Sequence, residues 1–190
     1  QSKVAFNADS GQTYYIRWRN AYTSGSYDWV LNERDILPGD VCENAISAQV
    51  GTNHADNSNG DQWFVYTATA NKMVHISTCG LTTENTYVQV FRGSCDWLDW
   101  VGESGWACGG QSDLSFGADS DETYHIVWRN WNTSGDYDWV LSERDILPGD
   151  LCENAISAQV GTNHADNSNG DQWFVYTATA NKMVRVSTCG

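Results

Sequence analysis

The chain has 190 residues, 41% of them apolar and ten of them tryptophan, with a formal net charge of −14 from 24 acidic and 10 basic side chains. That length allows one large domain or two small ones, and the apolar share suffices for a core. A phosphate backbone needs clustered Lys and Arg, so the charge argues against a nucleic-acid partner, and no apolar run approaches the ~18 residues of a membrane span.

The pattern is β from the start. In TYYIRWRN, Tyr14, Ile16 and Trp18 alternate with Tyr15, Arg17 and Arg19, the period of a strand with two unlike faces. A second version, TYHIVWRN, keeps Tyr124, Ile126 and Trp128 and puts His125 and Val127 on the other face. The first face reads as core and the second as a freer surface. DWVL follows, then ERDILPGD (33–40), whose Pro-Gly marks a turn. CENAISA allows one short helical turn, and NHADNSNGD reads as a polar loop. QWFVYTATA, KMVHIST, TYVQVF and DLSFGA read as further strands between NG, SG and GS turns. Many short strands in about 110 residues predict an all-β fold, a β-sandwich.

Shifting the chain by 110 positions superposes it on itself. Residues 27–80 match residues 137–190 except at Asn32/Ser142, Val41/Leu151, His75/Arg185 and Ile76/Val186. Residues 1–26 match 111–136 at 15 of 26 positions, and residues 81–110 have no second copy. Cutting at ERDILPGD makes 39–148 a complete unit, 1–38 the C-terminal part of a preceding one, and 149–190 the N-terminal part of a following one. The chain opens on Gln1 with no signal-peptide pattern after it, which reads as a mature or excised segment.

Cysteines stand at Cys42, Cys79, Cys95, Cys108, Cys152 and Cys189, without the CxxC pairs of a zinc site. Disulfides are the natural reading, and they place the chain in an oxidising, extracellular compartment. Pairing Cys42 with Cys79, Cys95 with Cys108 and Cys152 with Cys189 leaves no thiol over, although four cysteines in one unit allow three arrangements.

The succession GDVCENAI, DQWFVYTATANKMVHISTCG, TYVQVFRGSC, SDLSFGADSDETYHIVWRN and GDYDWVL resembles bacterial pre-peptidase C-terminal-type domains. The resemblance covers residues 39–148 and both flanking pieces. It implies β-jelly-roll modules of secreted and cell-surface proteins, non-catalytic and often in tandem. The aspartate-bearing turn usual before the family's central strand reads TTENTYVQVF here.

Nothing in the sequence points to catalysis. His75 faces Arg185 and His125 faces Tyr15 between copies, while His54 and His164 sit in the polar loop. No GxSxG, HExxH or P-loop pattern occurs. In that loop Asp56, Asn57, Asn59 and Asp61 offer oxygen ligands suited to calcium, with Asp40 and Asp150 as weaker candidates, although Asn-Gly is equally a turn signal. Trp97, Trp100 and Trp131 are candidate glycan or interface contacts, since exposed rings stack on sugars and also pack against subunits. Trp131 is replaced by Ala21 in the other copy, which places it outside the core. Asn132 begins an N-glycosylation sequon. The expectation is an extracellular structural repeat whose neighbours are copies of itself, as a covalent array or as chains completing one another into a filament. The alternative is a carbohydrate-binding or adhesive accessory module of a secreted enzyme.

Overall fold

The structure, a computed structural model, describes residues 4, 6–19, 25–131, 133, 135–168 and 170–188. Nine strands fall within residues 39–148: β1 (Ile46–Ser47), β2 (Gly51–Asp56), β3 (Gln62–Thr67), β4 (Lys72–Ser77), β5 (Tyr87–Ser94), β6 (Trp97–Gly105), β7 (Asp113–Ala118), β8 (Thr123–Trp128) and β9 (Asp136–Arg144). They form two sheets, β1-β3-β8-β5-β6 and β2-β9-β4-β7. Apart from β1, which runs parallel to β3, every pairing is antiparallel. Leaving β1 aside, this is the strand order of an eight-stranded jelly roll, in which two Greek keys close a double sheet.

Strand alternation builds the core. Phe64 and Tyr66 of β3, Ile126 and Trp128 of β8, and Val88 and Val90 of β5 face inward from one sheet. Val74 and Ile76 of β4, with Trp139 and Leu141 of β9, meet them from the other. Trp139 crosses Phe64 edge-on at 5.0 Å and lies 5.6 Å from Trp128. Deleting such a side chain leaves a cavity the neighbours cannot fill. Tyr66 ties the sheets together by donating its hydroxyl to Glu143.

Three differences from the sequence reading have physical causes. First, β2 runs through the NHAD of the polar loop, and β6 through WLDWVGESG, which carries too few β-branched residues to register as a strand. β2 is held by six cross-strand partners on β9. β6 pairs with all of β5, with one extra residue, Val101, admitted by a bulge between Val90 and Phe91. Second, the far face of β8 is not free: His125 and Val127 are buried there between the flanking strands β3 and β5, with the Cys42 sulfur 3.4 Å from the His125 ring. Third, residues 11–19 and 26–35 carry the same strand letters but form no sheet. A strand needs a partner for its N–H and C=O groups, and here the equivalents of β3 and β5 are not paired with the first segment, nor those of β2 and β4 with the second.

The disulfides are also paired otherwise than the spacing suggested. Cys42 is bonded to Cys95 and Cys79 to Cys108, with Cα separations of 5.6 and 5.9 Å. Cys95 and Cys108 lie at opposite ends of β6, whose nine residues span roughly 30 Å, far beyond disulfide reach. Cys42 opens a short 3-10 turn, Cys42–Asn44, on the outer side of the five-stranded sheet beside His125. Cys79 follows β4 in the other sheet and meets Cys108, past the far end of β6 from Cys95. Cys152 is exposed and carries no disulfide among the described residues, and Cys189 lies outside them.

Residues 149–190 repeat the opening of the unit with a second 3-10 turn, Cys152–Asn154, and a parallel pair, β10 (Ile156–Ser157) with β11 (Phe174–Val175). Residues 4–38 repeat its end. Phe6 lies 5.1 Å from Tyr14 and Trp18 lies 6.0 Å from Trp29, where Phe116–Tyr124 and Trp128–Trp139 stand 5.2 and 5.6 Å apart. In both partial copies most residues equivalent to core are uncovered, up to Met183 at 98% exposure, while Ala158 and Phe174 are half-buried.

Candidate functional site

Two regions stand out, one on the outer face of the five-stranded sheet and one at the junctions between units. On the outer face the register sets side chains in rows. Trp63, Val127, Gln89 and Glu103 lie opposite one another across four strands, and Val65, His125, Phe91 and Trp100 form the next row. Beyond the first row, the Arg129 N–H donates to the Tyr87 carbonyl, and Tyr87 lies opposite Gly105. A Cβ at Gly105 would stand 2.6 Å from the Tyr87 ring, so glycine alone lets that ring lie flat across β6. Trp131 stacks on Tyr87 at 4.9 Å and Trp106 meets it edge-on at 6.1 Å.

A polar chain threads these rings. Asp61 accepts from the Arg129 guanidinium at 2.8 Å and from the Asn130 N–H at 2.9 Å. Arg129 Nε donates to Gln89 at 2.7 Å, and Gln89 donates to Glu103 at 2.9 Å. The same guanidinium lies 5.9 Å from the Trp63 ring centre and 5.8 Å from that of Trp131, a cation–π bracket. Hydrogen bonds from Gln89, then Tyr87 and Trp100, hold the Glu103 carboxyl below the usual carboxylate range. Burial, then the bond to Glu103, pushes the Tyr87 hydroxyl up.

Of the tryptophans named from the sequence, Trp100 and Trp131 belong to this face. Trp97 does not: it is three residues from Trp100 on one strand, so it points to the opposite side, where its indole N–H donates to Asp99. Tyr87, Gln89 and Phe91 were legible as the alternate positions to Val88 and Val90. Trp63 and Arg129 became visible only once β8 was known to lie between β3 and β5.

The four loop residues named for calcium are each engaged separately. Asp56 accepts from the Ser58 N–H, Asn59 donates to the Ser58 hydroxyl, and Asp61 holds Arg129. Asn57 is fully buried, donating to the Gly60 and Trp128 carbonyls and accepting from the Tyr137 hydroxyl at 2.6 Å. Among the described residues one cluster has metal-like spacing, Cys42, Cys95 and His125, but its sulfurs are bonded to each other. Burial holds the His125 imidazole below its ordinary pKa. His54 sits on β2 facing Asp138, and His75 faces Asp113, each at 3.0 Å. Asn132 lies outside the described residues. Thr133, next to it, is buried and donates to Glu84.

The junction is built twice in the same way. Arg34 grips Asp40 through both terminal nitrogens, at 2.5 and 2.9 Å, and Arg144 grips Asp150 at the same two distances. The Leu37 and Leu147 N–H groups donate to the same carboxylates, and Asn44 and Asn154 donate back to the Leu37 and Leu147 carbonyls. In each copy the segment that ends in Glu-Arg-Asp is thereby fastened to the 3-10 turn that follows it by a forked, charge-assisted contact. Leu151 of the following unit packs on β7, where a Cβ at Gly117 would be 2.9 Å away. In the preceding copy the same two positions are Val41 and Asn7, a smaller apolar residue where the opposing one is larger. Ser168 and Gly170 line a cleft with Met73, His75, Ser115 and Ser142 on the outer side of the four-stranded sheet.

Hydrogen bonding to Arg144, then to the Leu147 N–H, holds the Asp150 carboxyl below the ordinary range against the opposing effect of burial. A carboxyl depressed in the folded state stabilises fully above its unfolded pKa of ~3.9, and that stabilisation is lost as pH falls through the lower folded value. Small-angle scattering is therefore expected to show an unchanged inter-unit geometry down to about pH 4. Loosening should follow only in stronger acid, and Asp150→Asn should loosen the junction at neutral pH. Loosening that begins near pH 6 in the unmodified chain would count against the clamp.

No protein-family model and no curated protein matches the chain. Among solved structures it is similar to the pre-peptidase C-terminal domain of a collagenase from Bacillus anthracis, at 16% identity and a TM-score of 0.40, over 60% of this chain and 100% of that one. It is also similar to PliG of Aeromonas hydrophila, a periplasmic inhibitor of g-type lysozyme, at 12% identity and a TM-score of 0.35, over 53% and 96% of the two chains.

Proposed function

We propose that this protein is an extracellular structural repeat that builds a fibre, stalk or adhesin shaft by setting jelly-roll units head to tail. The observation that carries this reading is the duplicated junction, where two copies of one clamp share the same contacts to within a few tenths of an ångström. A repeated rigid junction applies one rotation and translation again and again, and a head-to-tail contact that does not close on itself extends without limit. The disulfides suit an oxidising compartment.

The topology adds a second support. Residues 149–190 carry the equivalents of β1 to β4, and residues 1–38 those of β7 to β9. Together they hold every strand of the four-stranded sheet and the β1, β3 and β8 of the other. What they lack is the β5-β6 hairpin, which occupies an edge. A following and a preceding part can thus complete one another with an edge missing rather than a hole, either along one covalent chain or between separate chains.

The deciding experiment is the mass of the native protein after denaturation and reduction, read beside electron micrographs of the untreated material. A mass well above 21.1 kDa with regular fibres supports a covalent array. A mass of 21.1 kDa with fibres supports completion between chains. In both cases Arg144→Ala is expected to disorder or shorten the fibres. Monodisperse particles with no fibres at any concentration would overturn the reading.

A further inference from the structure

Beyond the Cys42 turn beside His125, the outer face of the five-stranded sheet is free of the junction that follows the complete unit. The following unit touches β7 through Leu151 and the four-stranded sheet through Ser168 and Gly170, which is the other side of the sandwich. The following segment thus leaves the aromatic face uncovered, with Trp100 and Trp131 63% and 60% exposed on it. We propose that this face is a binding platform for a neutral oligosaccharide, centred on Trp131, Tyr87, Gln89 and Glu103.

Three properties select that ligand class. First, the rings are both exposed and fixed. Trp131 is 60% exposed, yet Tyr87 supports one of its faces, Gly105 supports Tyr87, and Arg129 flanks it. A ring held in place before the ligand arrives loses little entropy on binding. Its exposed surface suits the flat C–H face of a pyranose, which an aromatic quadrupole favours.

Second, the polar groups among the rings are planar and paired edge to edge: the Gln89 amide, the Glu103 carboxylate and the Arg129 guanidinium. Such groups present donors and acceptors at the spacing of neighbouring hydroxyls and fix the orientation of a ligand whose bulk is held by rings. They run across the strands from Trp63 to Glu103, three inter-strand spacings or roughly 14 Å, a groundplan longer than a single sugar.

Third, the charges reject other ligands. Arg129 is already neutralised by Asp61, leaving Glu103 as the net charge of the platform within a chain of −14. Phosphorylated or sulfated polymers are repelled. A second copy of the chain would bring the same negative field against itself.

The test is affinity electrophoresis of the 190-residue chain through gels containing hydroxyethylcellulose, glycol chitin or galactomannan, with tryptophan fluorescence as a second readout, at low and high salt. Retardation by at least one polymer, unchanged by salt, is expected. Trp131→Ala and Gln89→Ala should each weaken it about tenfold or more. Trp97→Ala, on the opposite side of β6, should not change it. Trp131 is outside the core, so an unchanged melting temperature would show that the variant folds. Trp131→Phe, which keeps a ring on Tyr87, should retain most of the affinity. The proposal is overturned if no neutral polymer retards the intact chain, or if Trp97→Ala costs as much as Trp131→Ala. It is equally overturned if Trp131→Ala abolishes self-association seen by sedimentation, which would make the face a contact between copies. Regular fibres without polymer binding would sink this proposal and leave the structural one standing.

Discussion

Asn57→Ala is expected to destabilise the sandwich by about 3 kcal/mol or more, measured by urea denaturation. The side chain is fully buried and joins three places at once: the Gly60 carbonyl of its own turn, the Trp128 carbonyl of one sheet and the Tyr137 hydroxyl before the Trp139 of the other. Truncation strands the Trp128 carbonyl and the Tyr137 hydroxyl in the interior and takes the donor from the part-buried Gly60 carbonyl, and each stranded group costs its desolvation. Burial already drives the Tyr137 hydroxyl far above its ordinary pKa, so it cannot relieve the loss by ionising. Asn57→Asp separates this role from that of a cation ligand. A carboxylate cannot donate to Gly60 and Trp128, so Asp should be as damaging as Ala and calcium should not rescue it. A loss under ~1 kcal/mol, or rescue of the Asp variant by calcium, would remove Asn57 from the structural account.

The second large effect concerns the disulfides. They close loops with sequence separations of 53 and 29, for which the loop-entropy model gives roughly 4 and 3.5 kcal/mol. Cys42→Ser with Cys95→Ser should therefore cost as much as or more than Cys79→Ser with Cys108→Ser. The decisive comparison is between double variants. Removing both members of one observed bridge should leave the other bridge intact by non-reducing peptide mapping. Removing Cys42 and Cys79 together should break both. Intact bridging of Cys95 to Cys108 in that last variant would restore the pairing suggested by the spacing.

Much of the fold was legible because its core strands obey the simple period of two. TYHIVWRN announced its inward face and DWVL read as a strand, and Trp128 and Trp139 both sit in the core. What escaped was set by partners far away in sequence. β6 has a weak strand composition and is made a strand by eight pairings with β5. His125 and Val127 looked like surface because nothing in TYHIVWRN shows that this strand will lie between β3 and β5, or that Cys42 will come to rest against His125. The cysteine pairing failed for the same reason: the arithmetic counted thiols, whereas the answer depended on a strand holding Cys95 and Cys108 at its two ends. The candidate face was half visible. Trp100 and Trp131 could be suspected singly, but Arg129, Gln89 and Glu103 join them only when β3, β8, β5 and β6 are laid in order.

The Cys42–Cys95 bridge gives the repeat a particular response to pulling. In a head-to-tail array, tension enters each unit beside Asp40 and leaves beside Arg144, the two ends of the clamps. The bridge lies directly after the entry point, so the taut path passes from Cys42 across sulfur to Cys95 and on to Cys108, and residues 43–78 carry no load. An unravelled unit can then pay out only roughly half the contour its residue count would supply. The slack loop still holds β2, β3 and β4, ready to receive the remaining strands when tension falls. A string of such units yields in short, recoverable steps rather than running out to full length.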